Sequence, residues 1–246
     1  MRFARIATAA SVATFLTTSV ASADVVFDHN HIGLEVHDGR IVTGWYSTRG
    51  AEQLEDFTPS RVFDAQLDGD ATAQWGSNTV AGEFDVDSTV GYNLRGPLHR
   101  WDEAVEQFLA LDPAQTRIAL WDQDDPEDFV FSDDGPVLGM HTPVRTEASH
   151  PGQGGRHHTD FMFTLFNPED DPAAGVYLIE IEVANYGSPY DNLAASSEPL
   201  WLVFGHEVSD EALAGAVTHT ESHIVPEPGS LALLGLGGLL LMGRGR

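Results

Sequence analysis

The run Gly175-Val176-Tyr177-Leu178-Ile179-Glu180-Ile181-Glu182-Val183-Ala184-Asn185 decides the fold. Tyr177, Ile179, Ile181 and Val183 fall on one side, and Val176, Leu178, Glu180, Glu182 and Ala184 on the other. Alternation with period two marks a half-buried antiparallel strand. Shorter runs of the same kind surround it: Arg117–Trp121, Phe129–Phe131, Thr159–Phe166 and Pro199–His206 in the second half. Val25–His31, Ile32–His37, Arg40–Tyr46, Arg61–Leu67, Thr79–Asp87 and Thr89–Leu94 read as strands in the first. Asp38-Gly39 is a tight hairpin turn, and acid-rich turns such as Asp133-Asp134-Gly135 separate later strands. One short helix is expected at Trp101–Leu111, where Trp101, Ala104, Val105, Phe108 and Leu109 keep a 3.6-residue period and Pro113 follows. The pattern predicts an all-β protein, an antiparallel β-sandwich of jelly-roll or immunoglobulin-like type.

Both ends read differently. Arg2 and Arg5 precede the apolar stretch Ile6–Val20, and Ala21-Ser22-Ala23 forms a small-residue cleavage site. Residues 1–23 are therefore expected to be a signal peptide, cut by signal peptidase before Asp24. Residues 24–224 form the extracytoplasmic body, as one domain or as halves 24–111 and 112–208 followed by a linker, 209–224. At the far end, Pro226-Glu227-Pro228 precedes an apolar run, Leu231–Met242, and then Arg244 and Arg246. Twelve apolar residues fall short of the ~20 that span a bilayer comfortably. A short transmembrane helix of this kind is a transient anchor, with its arginines on the cytoplasmic side.

In order, spacing and position, residues 225–246 resemble the PEP-CTERM sorting signal of exported bacterial proteins. The resemblance implies handling by an exosortase, a transpeptidase-like membrane enzyme. Brief anchoring in the inner membrane would then lead to the cell surface or the extracellular space.

Composition narrows the chemistry of the body. It holds eight arginines, no lysine and 37 of the chain's 38 acids, a formal charge of −29. Such a surface repels nucleic acid, whose phosphates need Lys and Arg. The absence of cysteine removes disulfides, thiolate metal sites and thiol nucleophiles. There is no Gly-x-Ser-x-Gly, His-Glu-x-x-His, P-loop or dinucleotide fingerprint. The acidic stretch Asp122–Asp128 misses the calcium-loop pattern of EF-hands. The five tryptophans sit mostly among apolar strand residues and are expected in the core.

The histidines carry the candidate chemistry. In His29-Asn30-His31-Ile32-Gly33-Leu34-Glu35-Val36-His37, the residues Ile32, Leu34 and Val36 share one face of a strand. His29, His31, Glu35 and His37 share the other. In His157-His158-Thr159-Asp160-Phe161-Met162-Phe163, the aromatic residues face one way and His158 and Asp160 the other. Were the two strands neighbours, His29, His31, His158 and Asp160 would converge, with His37 as an extra ligand. His157 would replace His158 if the register shifted by one. A His/Asp set suits zinc first, then copper, nickel or manganese.

These blocks, with Gly175–Glu180 and Ser197–Phe204, resemble a loose family of surface-anchored bacterial proteins with interchangeable anchors, the choice-of-anchor proteins. Some of them are tied to zinc-repressed genes or metal transporters. Asp160 stands where the resemblance has a second histidine. The expectation is a non-enzymatic, exported surface or matrix protein that binds a divalent metal such as zinc. The alternatives are a structural or adhesive protein whose histidines are incidental, and a polysaccharide hydrolase. Expected partners are the export enzymes and the extracellular matrix or a polysaccharide.

Overall fold

Asp38 and Gly39 both adopt positive φ, 52° and 76°, the conformation of a type I′ turn whose twist matches a hairpin. They join β1 (Asn30–His37) to β2 (Arg40–Arg49). The computed structural model describes residues 30–225, apart from 50–52, 70, 123–124, 146–147, 150–151 and 188–192. The signal-peptide region with Ala21 and Ala23, His29, and the tail with Pro226, Glu227, Pro228, Arg244 and Arg246 lie outside the described residues.

The chain continues through β3 (Gln53–Pro59), β4 (Val62–Gln66), β5 (Thr72–Asn78), β6 (Thr89–Leu94), β7 (His99–Asp102) and β8 (Gln107–Ala110). Then come β9 (Arg117–Asp122), β10 (Asp125–Phe131), β11 (Val137–Pro143), β12 (His158–Phe166), β13 (Gly175–Tyr186), β14 (Leu193–Ser196) and β15 (Leu200–His206). A helix, α1 (Asp210–His219), runs into one π-helical turn, Thr220–Ile224.

Two sheets face each other. One has the order β10-β9-β12-β5-β1-β2-β3. The other has β11-β6-β13-β15-β4 as its spine, with β14 and the β7–β8 hairpin joined through β13. The expected β-sandwich is present, but the sheets are mixed, since β1 with β5 and β15 with β4 pair in parallel. Each sheet takes strands from both sides of residue 111, so the suggested halves interleave. Between the sheets lie Ile32, Leu34, Trp75, Phe161 and Phe163 from one and Tyr92, Ile179, Ile181, Leu202 and Phe204 from the other, each at most 1 % exposed. Burying such side chains contributes roughly 1.5–3 kcal/mol apiece.

Four expectations need correction. Trp101–Leu111 is not a helix but the β7–β8 hairpin, in which Trp101 pairs with Phe108 at 5.1 Å between ring centroids. Cross-strand aromatic pairing outcompetes the helical period, and two of the residues that would have formed the apolar stripe, Val105 and Leu109, are exposed. Residues 79–87 form turns rather than a strand, and β5 ends just before them at Asn78. The 209–224 stretch, expected as a linker, carries α1, capped by the Ser209 hydroxyl, which accepts from the Ala212 amide. Finally, β13 is buried on more than one face. Val176 and Leu178 lie in a second small core with Trp201, Val203, Leu213 and Ala216, beneath α1 and the hairpin. Among the described residues no helix is long and apolar enough to cross a membrane.

Candidate metal centre

The outward face of the seven-stranded sheet gathers the polar residues of β1 and β12. These strands are not neighbours, because β5 lies between them. His31 on β1 and Asp160 on β12 are both register partners of Gly76 on β5. A side chain at position 76 would separate them, and glycine has none. A Cβ there would sit 2.8 Å from Asp160 Oδ1 and 2.8 Å from both Cε1 and Nε2 of His31. His31 and Asp160 therefore meet across a strand they would otherwise straddle, with His31 Nε2 3.7 Å from Asp160 Oδ1. His158 lies two residues before Asp160, on the same face, and its ring centroid is 5.2 Å from that of His31. One ligand atom from each of His31, His158 and Asp160 falls within 4.8 Å of the other two. Ligand atoms at ~2.0–2.1 Å from a tetrahedral zinc are about 3.3 Å from each other, so small side-chain adjustments would close the set.

Arg145 borders the cluster. Its Nη2 donates to His158 Nδ1 at 3.1 Å, and its Nη1 donates to Gln153 Oε1. A guanidinium only donates, so this contact occupies the Nδ1 lone pair, and in the neutral ring the proton resides on Nε2. A cation binding through Nδ1 must displace Arg145.

Below the sheet lies a buried polar chain that fixes β5 against β12. His157 Nε2 is 2.7 Å from the Tyr92 hydroxyl, which also bonds the Ser77 hydroxyl. The His157 amide donates to Thr79 Oγ1 at 2.8 Å, and the Arg156 guanidinium donates twice to Asn78 Oδ1. His157 is fully buried. Burial foremost, then His158 and Arg145, hold its pKa down to about 3, so the ring is neutral. Burial likewise pushes the Tyr92 hydroxyl far above its usual range.

The structure thus brings together three of the six expected ligands: His31, His158 and Asp160. His157 is not one of them, because the β12 register turns it into the core, where Tyr92 holds it. His37 is not one either. It lies six residues along β1, about 20 Å from His31 at strand rise, and pairs with Glu35 at 2.8 Å. His29 lies outside the described residues. Sequence reasoning missed Gly76 and Arg145. The signal for Gly76 was a glycine inside the apolar-alternating run Ala73-Gln74-Trp75-Gly76-Ser77, which marks close approach of neighbouring groups.

Residues 225–246 match the PEP-CTERM protein-sorting motif. No curated protein matches the chain, and the resemblance of the body to the choice-of-anchor proteins finds no support among these comparisons. Among solved structures, the ASH/PapD-like domain 7 of human CEP192 is similar at 8 % identity and a TM-score of 0.34, covering 67 % of this chain and 99 % of that one. The CooA pilin subunit from enterotoxigenic Escherichia coli is similar at 7 % identity and a TM-score of 0.29, covering 61 % and 90 %. The sorting motif marks the protein for export, processing by signal peptidase and exosortase with transient membrane anchoring, and delivery to the cell surface or extracellular space.

Proposed function

We propose that the exported body is a binding protein rather than an enzyme, and that it holds a divalent cation, zinc foremost, through His31, His158 and Asp160. The observation that carries this reading is the meeting of the three ligand atoms within 4.8 Å over the gap at Gly76. Two imidazoles and one carboxylate leave coordination positions open on the solvent side, the donor set of zinc and also of non-haem iron(II). Its partner outside the cell, on this reading, is the extracellular matrix or a surface polysaccharide. Calorimetric titration of the purified protein, stripped with chelator, tests the metal. Zinc is expected to bind at one site and to raise the melting temperature, with manganese(II), iron(II) and copper(II) as comparisons, and His31→Ala with Asp160→Asn is expected to abolish the heat.

A second reading, a structural or adhesive surface protein with incidental histidines, is favoured by the guanidinium of Arg145 standing at His158. It predicts a flat thermogram with every metal and the same melting temperature with and without chelator.

A further inference from the structure

The outward face of the seven-stranded sheet carries a second feature, at its β10 edge. Ala119 on β9 pairs with Thr164 on β12 and with Phe131 on β10. Its methyl group is the floor of a trough of about 310 Å³ walled by Trp121, Phe129, Phe131, Thr164 and Phe166. Phe129 is 50 % exposed and Phe166 36 %. Trp121 is held in place, since its Nε1 donates to Thr164 Oγ1 at 3.0 Å. Exposed aromatic clusters of this kind on a soluble domain mark a binding surface.

Arg117 stands beside the trough, against Phe131 and Phe166. It is the register partner of Phe166, and its guanidinium carbon lies 3.6 Å from the Phe131 ring centroid and 5.4 Å from that of Phe166. Its Nε is buried without a hydrogen-bond partner, and among the described residues no carboxylate pairs with it. In a chain with 38 acids and 12 arginines, this guanidinium lies against aromatic rings, and among the described residues its Nε finds no acceptor.

We infer that this trough binds a neutral polysaccharide of the surface or matrix. The apolar C–H face of a pyranose stacks on Trp121 and Phe129, and its hydroxyl oxygens accept from the terminal Nη groups of Arg117. Charge decides among the occupants. The net charge of −26 repels polyanions and a second copy of the chain. The edge strand β10 contains Asp125, Pro126, Glu127 and Asp128, residue types that block edge-to-edge pairing between copies. A neutral glycan meets neither obstacle, and it supplies both a flat apolar face for the aromatic walls and acceptors for Arg117. The site is separate from the metal cluster and does not depend on it. Trp121 pairs with Met162, two residues beyond Asp160 on β12, so one glycan chain could pass over both.

Affinity electrophoresis of the purified protein through gels containing β-1,4-glucan, β-1,3-glucan, mannan or alginate tests this. At least one neutral glycan is expected to retard the protein, with and without chelator. Trp121→Ala and Phe129→Ser should each weaken the retardation about two- to tenfold, the range for loss of one aromatic contact, and Arg117→Gln should weaken it as well. Phe129 is half exposed, so its variant keeps the fold even if the tryptophan variant does not. Failure of every neutral glycan to retard the protein overturns the inference, as does retardation only by alginate or equal retardation of Phe129→Ser. A concentration-dependent dimer that Phe129→Ser abolishes would assign the face to a second copy and overturn it too.

Discussion

Replacing Gly76 by alanine isolates the metal reading from the stability of the fold. The backbone permits it, since Gly76 is not among the glycines with positive φ (Gly39, Gly82, Gly152 and Gly155). The added Cβ would lie 2.8 Å from Asp160 Oδ1 and from His31 Nε2, where ordinary contact begins at 3.4 Å. Both side chains must therefore move away from the position in which they share a cation. Holding each about 30° off its rotamer costs ~0.5–1.5 kcal/mol, so recovering the chelate costs about 1–3 kcal/mol, a five- to 150-fold loss of affinity. Without metal the two side chains no longer have to converge on a cation, and Gly→Ala at a compatible φ stabilises by ~0.4–1 kcal/mol through the unfolded chain. Urea unfolding of the chelated variant should thus stay within about 1 kcal/mol of the parent, while calorimetry shows zinc affinity at least fivefold weaker. Undiminished zinc affinity in a folded Gly76→Ala protein would refute the argument that the missing side chain creates the site.

Three further outcomes follow from the same contacts. Arg145→Met should tighten zinc binding by about tenfold, because a charged hydrogen bond of ~1.5–3 kcal/mol no longer occupies His158 Nδ1; an unchanged dissociation constant would place the cation elsewhere. Tyr92→Phe should cost about 1–3 kcal/mol in chemical denaturation, since it strips the partner from both Ser77 and His157 in the core. The His157 ring should make the metal-free protein acid-sensitive. With a folded pKa of about 3 against ~6.5 in the unfolded chain, the unfolded state binds the extra proton. Stability from this group is therefore full above about pH 6.5 and falls as the pH drops toward 3, by roughly 2 kcal/mol at pH 5. The slope of stability against pH in chelator should be correspondingly shallower in His157→Gln, and matching slopes would count against a neutral buried ring.

Alternation made most of the sandwich legible. Ile32 with Leu34, Phe161 with Phe163, and Ile179 with Ile181 were grouped on shared faces from period alone, and all are at most 1 % exposed. Strands with mixed composition escaped: β5 (Thr72–Asn78) and β11 (Val137–Pro143) contain glycine and polar residues and few large apolar ones. The helix α1 escaped for a different reason. Its cover is the small apolar patch of Trp201, Val203 and Val176 on the outer side of the other sheet, which the pattern of α1 cannot announce. The polarity of the faces placed His31, His158 and Asp160 outward but left His157 as an alternative ligand, and the partnership between β1 and β12 depends on a strand that was not foreseen.

A small residue on a middle strand explains why both surface features take the form they do. In each, the middle strand of three offers a residue too small to fill its own place: Gly76 between His31 and Asp160, and Ala119 between Thr164 and Phe131. Adjacent strands are ~4.7–4.9 Å apart, so residues on the two outer strands are nearly 10 Å apart at the backbone and would ordinarily be screened by a side chain between them. A small central residue removes the screen, and the outer pair closes over it (His31 with Asp160) or is left walling a trough (Phe131 and Thr164). The decisive quantity is thus a three-strand register, which no single run of sequence contains. A bulkier residue at position 76 or 119 would erase one feature and leave the other, and that independence separates two built sites from a general roughness of an acidic sheet face.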